Sequence, residues 1–270
     1  MKGRDIQWKH RTFLYPVVRV FSSKSAGSGT IIYSEPDPRS EGEYLTFVLT
    51  NHHVIEDCIK VKKDWDSLLK MEIEKEFLEK AKVEVFEYVN LSWVDSANRY
   101  SATIECYDKN HDLAILKIES PRKFEYVAKV IPRGEIKKLH LFRPVVSCGC
   151  SLAHEPFCMM GEITFLSEVI DQKKYVMTSA SSIFGNSGGA LYDYETGYLI
   201  GVTSRVTAIQ LGFGVDVLTW MSFSCHPERL YEFFDEQEFM FLYDKSTDYW
   251  TAIEIRKQKE LEAKLKILSK

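Results

Sequence analysis

No stretch of the 270 residues approaches the roughly 18 uninterrupted apolar positions of a membrane span, so the sequence offers no bilayer-crossing helix. The amino-terminal run MKGRDIQWKHRTFLYPVVRVF alternates charge with apolar side chains and lacks the continuous apolar core of a secretion signal. An excess of positive charge is missing too. Lys and Arg number 35 against 39 Asp and Glu, a formal net charge of -4 with the signs intermixed. Such a chain sets up no basic field to hold a phosphate backbone, so neither nucleic acid nor membrane is expected as a partner. The six cysteines, met without a secretion signal, read as reduced thiols and a cytoplasmic location rather than as three disulfides.

What is present is the composition of a globular protein: 45% hydrophobic residues and 27% charged, in a length that suits one large domain. Short runs rich in Val, Ile, Thr, Phe and Tyr recur through the chain, punctuated by Gly, Asp, Asn and Pro. Eleven of them, from 15–21 to 212–217, read as strands of an all-β barrel or sandwich. Two segments break that pattern. Residues 63–82 place Trp65, Leu68, Leu69, Ile73, Phe77 and Leu78 near helical spacing, and 228–241 do the same with Leu230, Phe233 and Phe234. Both are expected to be helices laid on the barrel. Residues 244–270 are expected to be a charged helical tail to a domain spanning 1–243.

Three short motifs carry the chemistry. LTNHHVIED at 49–57 ends a strand with His53, KNHDLAILKIE at 109–119 opens one with Asp112, and SSIFGNSGGALYD at 181–193 sets Ser187 among glycines. A serine hydroxyl is a weak nucleophile until an imidazole takes its proton, and the imidazole needs a carboxylate to fix its tautomer. The alternative for the glycine-rich stretch alone is a plain hairpin turn.

Together these motifs resemble the trypsin-like serine peptidases of the chymotrypsin fold, most closely their HtrA-like prokaryotic and phage members. VVRVFSSKSAGSGTII resembles the opening strands with a GSG turn, LTNHHVI the histidine motif, HDLAILKI the aspartate motif, and GNSGGALYD with LIGVTS the serine motif. The order His, Asp, Ser is shared, over about residues 13–235.

The resemblance implies two six-stranded antiparallel β-barrels, here with an inserted helix and C-terminal helices. It implies a serine endopeptidase that acts on protein or peptide substrates through an acyl-enzyme and needs no cofactor. Ser187 would be the nucleophile, His53 the general base and acid, and Asp112 the residue that orients His53. His52 and Asp108 compete for the last two places, and the motif favours His53 and Asp112. The backbone amides of Gly185 and Ser187 would form the oxyanion hole. Ser181 would floor the substrate pocket, with Ser204, Val206 and Gly214 beside it, which suits a small or medium apolar side chain. Asp216 is the complication, since a carboxylate in the pocket would select a basic residue instead.

Four departures from the resemblance stand out. The stretch between the His and Asp motifs is long, and residues 63–82 account for it as an insertion. Few residues remain after about position 235, so no appended peptide-binding domain is expected. Asn186 stands where secreted relatives carry an aspartate that pairs with a newly cut amino terminus, so neutral contacts are expected to hold this loop. CGCSLAHEPFC gathers Cys148, Cys150, His154 and Cys158, a set zinc favours, but the second cysteine pair is absent and no metal is expected. The rival reading of the whole chain is a catalytically silent binding protein of the same fold.

Overall fold

Alternation of side chains between two faces decides where each strand sits. The structure, a computed structural model, describes residues 5–67, 70–212 and 214–268; expectations that fell on 1–4, Leu68, Leu69, Phe213 and 269–270 lie outside the described residues. The chain enters through α1 (Ile6–Lys9), which continues as a π-helical turn at His10–Leu14. It then forms β1 (Val17–Phe21), β2 (Ala26–Pro36) and β3 (Tyr44–Thr50), the single turn α2 (His52–Ile55), and a hairpin of β4 (Ile59–Asp66) and β5 (Met71–Leu78). With β6 (Ala81–Val89), β7 (Trp93–Asp108) and β8 (Leu113–Ile118) the strands close a barrel in the order β1-β2-β3-β8-β7-β6.

After α3 (Arg133–Ile136) come β9 (Pro144–Gly149), β10 (Phe157–Ile170), β11 (Lys173–Thr178), β12 (Ala190–Asp193), β13 (Leu199–Leu211) and β14 (Gly214–Cys225). They close a second barrel in the order β10-β11-β14-β13-β12-β9, and all pairings in both barrels are antiparallel. The fold is thus the all-β double barrel of six strands each. It finishes with α4 (Pro227–Glu236) and α5 (Tyr249–Leu268).

β3 shows how the layers form. Val48 points into the first barrel with Val18, Val20, Ile31 and Leu116. Its neighbours Leu45, Phe47 and Leu49 point the other way, into a cluster that runs between the barrels and under the C-terminal helices. There Phe47 meets the rings of Phe239, Phe241 and Tyr249 at 5.2–5.8 Å. A strand buried on both faces has to be apolar at nearly every position, which is why YLTFVLT reads as a run rather than an alternation.

Among the described residues of 63–82 there is no inserted helix, because β4 and β5 form a two-stranded sheet there. In MEIEKEF the residues Met71, Ile73, Lys75 and Phe77 alternate with Glu72, Glu74 and Glu76, a period of two that coexists with the helical spacing. Cross-strand pairing decides between them: Lys63 lies opposite Glu74, Trp65 opposite Glu72, and Lys75 Nζ reaches Asp64 at 2.9 Å. The tail expected beyond residue 243 is helical, but its first turn is part of the core, with Tyr249 and Ala252 both buried.

Candidate functional site

α2 begins directly after β3, so its first residues stand at the barrel rim. Successive helical positions diverge by about 100°, and here His52 turns inward while His53 turns out. His52 is buried with its ring 5.2 Å from that of Tyr107, and burial pushes its pKa below the usual histidine value. His53 Nδ1–H donates to the Asp112 carboxylate, 2.9 Å from each oxygen, and the His53 backbone N–H donates to Oδ1 at 3.1 Å.

Asp112 closes the turn between β7 and β8 with a positive φ of 55°. Asp108, its competitor, is spent inside that turn, where it accepts the backbone N–H of His111 at 2.6 Å. Asn51 Nδ2–H donates to the Asp112 carbonyl at 2.7 Å, and Ser204 Oγ–H donates to Oδ2 at 2.7 Å. Burial by itself raises the pKa of Asp112. The hydrogen bonds from His53 and Ser204 outweigh it and hold the carboxyl below its ordinary value, so it stays ionised.

Ser187 lies on the loop from β11 to β12, between the barrels. Its carbonyl accepts the backbone N–H of Ser28 on β2 at 2.8 Å, and the next N–H, that of Gly188, donates to the Thr203 carbonyl at 2.9 Å. Thr203 precedes Ser204, so one ladder fixes the serine loop beside the residue that anchors Asp112. A side chain on Gly27 would touch both Val54 (2.7 Å) and the Ser187 carbonyl (3.0 Å), which sets Ser187 next to the residue after His53.

The glycines explain themselves. Gly188 has φ +86°, and a Cβ there would fall 2.0 Å from the Ser28 carbonyl oxygen and 2.3 Å from Thr50 Oγ1. Gly185 has φ +95°, and its Cβ would fall 2.6 Å from the Leu152 nitrogen. Leu152 N–H donates to the Phe184 carbonyl at 2.9 Å. Because the peptide is planar and trans, the N–H of Gly185 points the opposite way, away from Leu152. Among the described residues neither that N–H nor the N–H of Ser187 has an acceptor in the chain. Two backbone donors of the serine loop are therefore without a partner in the chain, and both residues are partly open to solvent.

Neutral contacts hold this loop. Ser28 Oγ–H donates to the Gly185 carbonyl at 2.7 Å and accepts the N–H of Cys150 at 2.7 Å, while Ser151 Oγ–H donates to the buried Asn186 Oδ1. Ser28 and Ser151 escaped the sequence reading. The signal for Ser28 was the GSG expected as a turn, which lies instead inside β2, a polar residue between two glycines in an apolar strand.

Of the residues expected beside a substrate pocket, Ser204 and Val206 lie on β13 and Ser181 on the serine loop, but Gly214 does not join them. Gly214 pairs with Leu211 at the far end of the β13–β14 hairpin, and Asp216 is exposed opposite Ile209. Ser222 faces Val206 instead. Counting along the sequence misplaces Gly214 because the register jumps between Val206 and Thr207, leaving residues 219–221 unpaired in that ladder. Thr219 fills the gap: its carbonyl accepts the N–H of Ser182 and the Oγ–H of Ser222, both at 3.0 Å.

Cys148 and Cys150 are buried and Cys158 is exposed; among the described residues no three His, Cys, Asp or Glu side chains are grouped so as to hold a metal ion.

A family model for the trypsin-like peptidase domain matches residues 27–202, a span that contains His53, Asp112 and Ser187. The chain belongs to the trypsin-like peptidase family. The crystal structure of the serine endoprotease from Yersinia pestis is similar at TM-score 0.55 and 20% identity, over 87% of this chain and 67% of that one, a likeness that concerns the fold. Comparison with curated proteins gives no match. In this trypsin-like peptidase the two barrels supply different parts of the site: the first brings His53 and Asp112, and the second brings the Ser187 loop and Ser204.

Proposed function

We propose that this trypsin-like peptidase is a serine endopeptidase in which Ser187 attacks the scissile carbonyl, His53 takes and returns the proton, and Asp112 orients His53. The observation that carries this reading is the Asp112 carboxylate, which receives His53 Nδ1–H with both oxygens at 2.9 Å while Ser204 and the His53 amide hold it in place. With Nδ1 protonated and bound, Nε2 is the basic nitrogen, free to accept a proton from the serine. Among the described residues Ser187 Oγ and His53 Nε2 make no hydrogen bond with each other, a separation that tightens in many enzymes once substrate is bound.

The unpaired amides of Gly185 and Ser187 would stabilise the oxyanion of the tetrahedral intermediate. Collapse of that intermediate expels the amine, which takes its proton from His53, and leaves the acyl group on Ser187. Water then repeats the sequence in reverse. Ser181, Ser182, Val206, Thr219 and Ser222 would form a small, uncharged pocket for the side chain before the scissile bond.

Profiling with a peptide library tests both levels. The expected result is cleavage after small, uncharged residues, and a loss on the order of 10⁴ to 10⁶ in kcat for Ser187→Ala with its thermal midpoint unchanged. Comparable turnover by Ser187→Ala removes the mechanism, and a preference for Arg or Lys overturns the pocket.

A further inference from the structure

CGCSLAHEPFC holds three of the six cysteines, and the peptidase chemistry proposed above uses none of them. β9 and β10 run antiparallel with Cys148 directly opposite Cys158. Residues so opposed have Cα atoms about 4.5 to 5.5 Å apart, inside the span of about 4.4 to 6.8 Å that a disulfide bridges. The two side chains also share a face of the sheet. The Cys158 thiol donates to Cys148 Sγ at 3.2 Å.

The two sulfurs differ in access. Cys148 is 1% exposed, whereas Cys158 faces solvent. Burial pushes the Cys148 thiol well above its ordinary pKa, so Cys158 is the sulfur that a soluble oxidant meets first. The other four cysteines are all buried. The pair also lies close to the serine loop: Cys148 is opposite Ala190, three residues past Ser187; Gly149 at the strand's end packs so near Asn186 that a Cβ there would fall 2.7 Å from its Oδ1, and Cys150 just past the strand donates its N–H to Ser28.

We infer that Cys148 and Cys158 form a reversible dithiol–disulfide pair, which a peroxide oxidises to cross-link β9 to β10. In the first step the Cys158 sulfur, as thiolate, attacks one peroxide oxygen. The O–O bond breaks, Cys158 becomes a sulfenic acid, and the departing hydroxide leaves as water with the proton the thiol gave up. In the second step the Cys148 sulfur attacks the sulfenic sulfur. The S–S bond forms, the S–O bond breaks, and the hydroxide leaves as water with the Cys148 proton. Two thiols and one hydrogen peroxide thus give one disulfide and two waters, with the sulfurs oxidised and the peroxide oxygens reduced. A partner sulfur already in contact intercepts the sulfenic acid before further peroxide carries it to the irreversible sulfinic acid. This inference is independent of the role of Ser187.

The test treats the full chain with hydrogen peroxide, counts free thiols in denaturant and maps the products by mass. The expected result is a fall from six thiols to four, with residues 148 and 158 on fragments that stay joined after chymotryptic cleavage at Leu152 and separate on adding dithiothreitol. Cys158→Ser, an exposed and nearly isosteric change, should keep all five of its thiols under the same treatment. Six surviving thiols in the natural chain, a link between two molecules through Cys158, or Cys158 as sulfinic acid beside an alkylatable Cys148 would each overturn the inference.

Discussion

Asn186 and Ser151 show how much of the loop that carries the proposed nucleophile rests on residues given no chemistry there. Asn186 is 3% exposed, and its Oδ1 accepts the Ser151 hydroxyl, so this neutral pair and the Ser28–Gly185 bond seat the loop that carries the two unpaired amides. Ser151→Ala leaves that oxygen buried without a donor, at a cost of about 1–3 kcal/mol of stability. We expect kcat to fall about ten- to a hundredfold with KM little changed, less than the 10² to 10³ lost when an oxyanion donor is removed outright. Steady-state kinetics on a peptide substrate checks this, and a raised KM with unchanged kcat would contradict it. At this scale the pairing of His53 with Asp112 and the place of the Ser187 loop between the barrels were legible because residue type and order in the three motifs carry them. Ser28, Ser151 and Ser222 were not, since each works through a partner more than 12 residues away in the chain or through a register that counting cannot see.

Elements that lie on the barrels respond to different forces from the strands that form them. α4 is capped by a histidine: His226 Nδ1 accepts the N–H of Glu228 at 3.2 Å, a role open only to the unprotonated nitrogen. Burial lowers the His226 pKa below its ordinary 6.5. The unfolded chain therefore binds the proton more readily, so this contribution to stability is complete above about pH 6.5 and is lost as pH falls from there towards the folded value. His226→Asn keeps an acceptor that does not titrate. The drop in thermal midpoint between pH 7 and pH 5 should be smaller in that variant, and an unchanged drop would show that the cap does not titrate in this window. α4 was legible as a helix because its aromatic stripe has a single periodicity. The β4–β5 hairpin was not, because the same residues satisfy both a helical and a strand period, and only pairing with a second strand breaks the tie.

At the scale of the whole molecule, the C-terminal helix belongs to the fold rather than trailing from it. Tyr249 is 5% exposed among Phe47, Phe241 and Trp250, and its hydroxyl donates to Glu105 at 2.8 Å. Tyr249→Ala should cost about 3–5 kcal/mol, as for other large buried aromatics. Chemical denaturation measures it, and a change below about 1 kcal/mol would return the helix to the status of a tail. The all-β class was legible from strand spacing and the double barrel only through the family resemblance that the three motifs carry, whereas the docking of α5 was hidden behind a composition of alternating Lys and Glu.

The central claim is that His53 and Asp112 activate Ser187, and a fluorophosphonate reports on that most directly, because it bonds covalently to a serine only when the hydroxyl is activated. Intact mass and peptide mapping should find one adduct, on Ser187, in the natural chain, and none in His53→Ala under the same conditions. An unlabelled natural chain, a label elsewhere, or equal labelling of His53→Ala would contradict the claim.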